Sequence, residues 1–229
     1  MRPADITAYN RPGLRAAWKG PSCLLLGNDA ACGGPADGGA KGPTGYFFRE
    51  ARHLDRLRLL VQREGPLRCT VAQAGPDALE WSLIYPPVTE TGGGGSGSGG
   101  ASTRHGVLAR GLDLRLRYAL QPAGFEALLR LTNRWDDHVE LDLAWGLGAD
   151  FADLIEVKGE REQEAPVEAT ATPGGVHFRY GHPDLPLETH ARAVGPGEWA
   201  WDGERLGATV PLARQETVEV RLVVRALDG

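Results

Sequence analysis

Cysteine is scarce, and long apolar runs and an excess of positive charge are missing. Three cysteines, Cys23, Cys32 and Cys69, with no C-x-x-C, give neither the even spacing of a disulfide framework nor the paired thiols of a zinc or redox motif. They are expected to be small buried hydrophobes in a reducing compartment. No apolar run approaches the ~20 residues a membrane-crossing helix needs. The N-terminus M-R-P-A-D-I-T-A-Y-N also lacks the basic-then-apolar order of a secretory leader. A soluble cytoplasmic protein is expected. Lys and Arg total 25 against 30 Asp and Glu, a formal charge of −5, and the arginines alternate with carboxylates. That pattern leaves no footprint for nucleic acid. There is no G-x-S-x-G, Walker-type or G-x-G-x-x-G element in a strand-to-helix setting, so no nucleotide cofactor is expected.

What is abundant is turn chemistry: 32 Gly and 16 Pro among 229 residues, with 41% hydrophobic residues. Many short strands joined by turns require such a composition, and a helical bundle does not. L-R-A-A-W and C-L-L-L-G, between Leu14 and Gly27, read as strands around the turn Lys19-Gly20-Pro21. Asn28 to Gly45 is expected to be an irregular loop. In Tyr46 to Gln62, the charged R-E-A-R-H-L-D-R reads as a loop, and Leu57, Leu59 and Val61 as one face of a strand. Leu67 to Ala74 and Ala78 to Tyr85 suggest a hairpin around Gly75-Pro76-Asp77. Thr91 to Arg104, rich in Gly and Ser, has the composition of a flexible loop inside one domain spanning 1–229. Leu112 to Leu120, Phe125 to Asn133 and Val139 to Leu147 alternate strictly, predicting three long antiparallel strands in a meander. Shorter strands follow near Val176 to Tyr180 and Glu188 to Val194, and a last one over Thr217 to Leu227.

The most distinctive stretch is Ala149 to Gly159, A-D-F-A-D-L-I-E-V-K-G. If it is extended, Asp150 and Glu156 share a face ~20 Å apart and Asp153 points the other way. If it turns helically, neighbouring carboxylates come within ~5–6 Å. A glycosidase pair flanks its substrate from different elements, so capping and inter-element salt bridges are favoured over catalysis or a cation site. The six histidines, His53, His105, His138, His177, His182 and His190, show no metal-ligand spacing, and no metal is expected. Trp199 and Trp201, in G-E-W-A-W-D-G, lie on one face of a short strand that could stack on a sugar ring or belong to core.

Two strings, G-Y-F-F-R-E-A-R-H-L-D-R-L-R-L from Gly45 and A-D-F-A-D-L-I-E-V-K-G from Ala149, resemble the N-terminal domain of glycogen debranching enzymes of the amylo-α-1,6-glucosidase type. There, a string like G-L-F-x-R-D-T-R-x-L-S-R-L-x-L precedes A-D-F-A-D-L-F-E-V-R-G by one domain length. The resemblance implies an all-β, two-sheet antiparallel β-supersandwich ahead of an (α/α)6 glycoside hydrolase barrel that carries the catalytic carboxylates. It also implies that Arg49, Glu50, Arg52, Asp150, Asp153 and Glu156 order loops facing that barrel or a substrate. The family's D-T-R is Glu50-Ala51-Arg52 here, its Phe is Ile155, and its Arg is Lys158, which cannot pair bidentately. No catalytic residue is expected within the chain. Its partners would be the barrel, an α-glucan, or a second copy through the exposed docking face. An independent α-glucan-binding module using Trp199 and Trp201 is the competing expectation.

Overall fold

Strict alternation of apolar and polar residues puts every second side chain on one face, so a strand with one wet face reads directly from the sequence. Leu112, Leu114, Leu116, Tyr118 and Leu120 are all buried, and the intervening residues are exposed or half-buried. The computed structural model describes residues 14–27, 44–62, 69–85, 103–104, 107–108, 111–157 and 165–228. Among them run β1 (Leu14–Lys19), β2 (Ser22–Gly27), β3 (Gly45–Phe48), β4 (Ala51–Leu54), β5 (Arg56–Val61), β6 (Cys69–Gly75), β7 (Ala78–Tyr85), β8 (Thr103–Arg104) and β9 (Val107–Leu108). After these come β10 (Leu112–Gln121), β11 (Gly124–Asn133), β12 (Val139–Gly148), β13 (Val167–Thr172), β14 (Gly175–Tyr180), β15 (Leu187–Val194), β16 (Ala200–Trp201), β17 (Arg205–Leu212) and β18 (Thr217–Asp228). All pairings are antiparallel.

An eight-stranded sheet, β13-β14-β15-β18-β11-β10-β7-β6, forms one layer. Two four-stranded sheets, β1-β2-β3-β4 and β16-β17-β12-β5, supply further inward faces, and all three sheets contribute to one apolar core. Tyr118 of β10 stands edge-on to Trp81 of β7 at 5.6 Å and to Trp145 of β12 at 6.5 Å, joining the large sheet to the layer opposite. β2 is buried on both sides. Leu24 and Leu26 enter the main core, while Cys23 and Leu25 join Phe47 in a second cluster capped by Leu154 and Val157. Burial pushes the Cys23 thiol up to about 12, so it is inert packing.

The expected three-strand meander is corrected. β10 and β11 form a hairpin, but β12 leaves for the second four-stranded sheet, where it pairs with β5 and β17, and β18 takes the place beside β11. Alternation specifies a face, not a pairing partner, and here the chain changes layers at a corner built on buried Asn133. The Asn133 amide donates to Asp137 O at 2.8 Å and Ala213 O at 3.0 Å, while its Oδ1 accepts from Trp135 N at 2.9 Å. The charged loop expected before β5 is also corrected: its A-R-H-L is β4, with Arg52 and His53 both buried. β13 and β17 went unread. β13 exposes nearly every residue, and β17 interrupts its alternation at Gly207-Ala208. The loop expected over Asn28 to Gly45 lies outside the described residues up to position 43. Of the Gly/Ser-rich loop, residues 91–102 also lie outside them, and Thr103–Arg104 form β8.

β11 begins where it touches β18 closely. A Cβ on Gly124 would lie 2.1 Å from Val224 O, a backbone atom that cannot move aside without opening the β11–β18 ladder. Gly124→Ala is expected to destabilise the fold by about 1–3 kcal/mol, seen as a Tm lowered by several degrees in a thermal melt.

Candidate functional site

The two distinctive strings meet in space. β5 pairs with β12 out to Arg56 and Gly148, and the pairing continues as Asp55 N donates to Gly148 O at 3.1 Å and Arg52 N to Ala152 O at 2.8 Å. A bridge between Ala51 and Asp153 completes it. The Asp150 segment is therefore the seam along which one four-stranded sheet runs into the other. Across it the Arg52 guanidinium, 5% exposed, grips Asp150 with two parallel bonds, Nε to Oδ1 at 3.0 Å and Nη2 to Oδ2 at 2.5 Å. Such a fork needs a planar guanidinium, which Lys does not have. Gly45 has φ +151° and sits where a Cβ would lie 2.7 Å from Arg52 Cδ, so glycine is required for Arg52 to pass.

Asp55 and Arg56 extend the charge cluster. Burial, then repulsion from Asp150, raises the Asp55 carboxyl above its ordinary value, against the pull of Arg52 and Arg56. Arg56 anchors to Leu147 O through Nε and Nη2 at 3.2 and 2.9 Å.

Past the seam the chain makes one helical turn closed as a capping box. Asp153 Oδ1 accepts from Ile155 N at 2.7 Å and Glu156 N at 2.8 Å, Glu156 Oε2 accepts from Asp153 N at 3.0 Å, and Val157 N donates to Asp153 O at 3.0 Å. Leu154 and Val157 fold inward, and Ile155 is left 80% exposed at the tip.

Buried Phe151 holds φ +51°, a conformation costing roughly 1–2 kcal/mol, to place its ring 5.4 Å from His53 and 5.5 Å from Tyr180. Thr189 Oγ1 donates to His53 O at 3.3 Å, so it accepts from His53 Nδ1 at 3.0 Å. That assigns the Nδ1–H tautomer and leaves Nε2 buried among aromatic rings with no hydrogen-bond partner among the described residues. Burial lowers the His53 pKa to about 4, although the backbone beside Glu188 and the Asp228 charge favour protonation.

The six charged residues singled out from sequence thus fall in three places. Arg52 and Asp150 hold the seam, Asp153 and Glu156 close the cap, and Arg49 and Glu50 form the β3–β4 turn. Arg49, at φ +54°, lies 5.3 Å over the Phe48 ring and pairs with Asp228. Trp199 is 9% exposed and donates its indole N–H to Pro196 O at 3.2 Å, ahead of the two-residue β16. Trp201 is half-buried, edge-on to Phe178 at 5.7 Å. No exposed pair of rings results.

Sequence reasoning missed a group on the outward face of the large sheet. His177 of β14 stands directly opposite His190 of β15, rings stacked 4.0 Å apart, with Glu188 two residues before His190 on the same face. His177 Nε2 lies 3.0 Å and His190 Nε2 3.6 Å from Glu188 Oε2. Among the described residues this set could hold a metal ion. Its only local signal was E-T-H, a carboxylate and an imidazole two apart on a strand.

The sequence profile of the N-terminal domain of (some) glycogen debranching enzymes matches residues 20–223. The chain belongs to that family. Both strings that meet at the seam lie within the matched span, brought together by the β5–β12 pairing. No curated protein matches the chain. Among solved structures, the Slr1438 protein of Synechocystis superposes with a TM-score of 0.56 at 10% identity, over 96% of this chain and 97% of that one. A galactose mutarotase-like protein of Lactobacillus casei gives 0.50 at 8%, over 94% and 100%. A candidate kojibiose phosphorylase from the human microbiome gives 0.51 at 8%, over 93% of this chain but 29% of that longer one. These likenesses establish a β-sandwich of the mutarotase-like kind. No helix among the described residues is long and apolar enough to cross a membrane.

Removing one partner of a buried pair strands the other, so Asp150→Asn is expected to cost about 3–5 kcal/mol. Arg52→Lys, which keeps the charge but not the fork, should cost a large share of this as well, as denaturant unfolding would measure. His53 is neutral when folded and binds a proton when unfolded below about pH 6.5, so its contribution is complete above that pH and is lost as pH falls towards 4. Relative to His53→Gln, the unsubstituted protein should lose roughly 3 kcal/mol across that window, read from unfolding curves at several pH values.

Proposed function

We propose that this chain is a non-catalytic domain that docks an (α/α)6 glycoside hydrolase barrel in α-glucan metabolism. One observation carries the reading: the carboxylates of its distinctive segment have internal partners, while Ile155 between them points outward. Glycoside hydrolysis needs two carboxyl groups about 5–9.5 Å apart facing each other across the scissile bond. Asp150 is clamped by Arg52, and Asp153 and Glu156 bond the backbone of their own turn. A turn so constrained loses little freedom on binding, which suits Ile155 as a rigid apolar anchor with charged neighbours.

Purified chain supplied with a branched maltooligosaccharide should release no glucose, and turnover abolished by Glu156→Gln would overturn the reading. Mixed with a debranching-enzyme barrel domain, it should bind, and Ile155→Asp should weaken binding by about tenfold or more with the Tm unchanged. If instead the chain alone bound α-glucan and Trp201→Ala removed that binding, a sugar-binding module would replace the docking domain.

A further inference from the structure

The outward face of β14 and β15 carries a group with no part in the seam or the cap. Antiparallel pairing sets His177 against His190 and Arg179 against Glu188, and the two-residue strand period puts Glu188 on the same face as His190. Glu188 Oε2 lies 3.0 Å from His177 Nε2 and 3.6 Å from His190 Nε2, and all three donor atoms fall within 4.8 Å of one another. For an ion with bonds of about 2.0–2.1 Å, ligand atoms in a tetrahedral arrangement sit roughly 3.3 Å apart. The two separations to Glu188 Oε2 bracket that edge, and the imidazole nitrogens lie no more than 4.8 Å from each other.

We infer that His177, Glu188 and His190 form a binding site for a divalent transition-metal ion of the zinc class. Two imidazoles and one carboxylate suit a borderline ion, whereas calcium and magnesium call for oxygen ligands. Arg179 Nε donates to the other carboxylate oxygen, Oε1, at 3.1 Å, fixing the carboxyl plane while Oε2 faces the imidazoles. That is the role an outer partner plays around a metal-bound carboxylate. His177 and Glu188 are about three-quarters covered and His190 is 46% exposed, so the ligands are held by packing while the ion's remaining position opens to solvent. Thr170 flanks His177 on β13, and Arg225 flanks His190 on β18. Arg225 opposes a bare dication but favours an anionic fourth ligand there. A bound ion would staple β14 to β15 on the outward face of the large sheet, with the apolar core on the other face.

The test uses the full chain. Calorimetric titration with Zn2+ and visible absorption with Co2+ should each show one ion per chain, with d–d bands of an N/O site and no thiolate charge-transfer band. Ca2+ and Mg2+ should give no heat. His177→Gln, Glu188→Gln and His190→Gln should each weaken Zn2+ binding by about tenfold or more and abolish the Zn2+-induced rise in Tm, with unchanged melting in chelator. The site would be overturned by absence of saturable binding, by binding that survives His177→Gln combined with His190→Gln, or by a thiolate band. In any of those cases the cluster would be a salt-bridge ladder only.

Discussion

The Arg52–Asp150 pair is the constraint on which the rest of the small-sheet layer depends. It sits where two four-stranded sheets join, so one bidentate contact determines how β4 continues into β5 and how β12 continues into the capped turn. Taking two charges out of water is costly, and the geometry compensates only because both ends of the guanidinium fork are used. Gly45 leaves room for the arginine, and Phe151 accepts a strained backbone so that its ring closes over neutral His53. A charged string thus becomes interior structure.

In this arrangement the most conspicuous charges of the sequence support the fold. Side chains that look reactive in the sequence hold the sandwich together, while Ile155 on its capped turn and an imidazole–carboxylate set on the opposite layer face outward. The chain as a whole belongs to the family of the N-terminal domain of (some) glycogen debranching enzymes.

Much of the fold was legible because the large sheet has one wet face: the strands from Leu112 to Asn133 and from Thr217 onward alternate cleanly, and their positions were read correctly. What alternation does not encode is which strands become neighbours, so β12 was placed beside β11 when a corner at Asn133 carries it to the other layer. β4 was hidden by its charges, since Arg52 reads as exposed unless Asp150, 98 residues away, is known to face it. The fate of Asp153 and Glu156 was readable in principle, as D-x-x-E is a local capping signature. His177 and His190 lie on different strands joined across a loop, and only register brings them together.

β18 follows every other described strand in the chain yet lies in the middle of the largest sheet, between β15 and β11. Until residues 217–228 leave the ribosome, β10–β11 and β14–β15 have nothing to join them, and each keeps an open edge. At ~5–20 residues per second the wait after β11 is on the order of ten seconds, during which the half-built sheets present unpaired backbone to any other nascent chain. Closure of the large sheet therefore waits on this strand, and the open edges of β11 and β15 belong to synthesis, since both are paired in the finished fold.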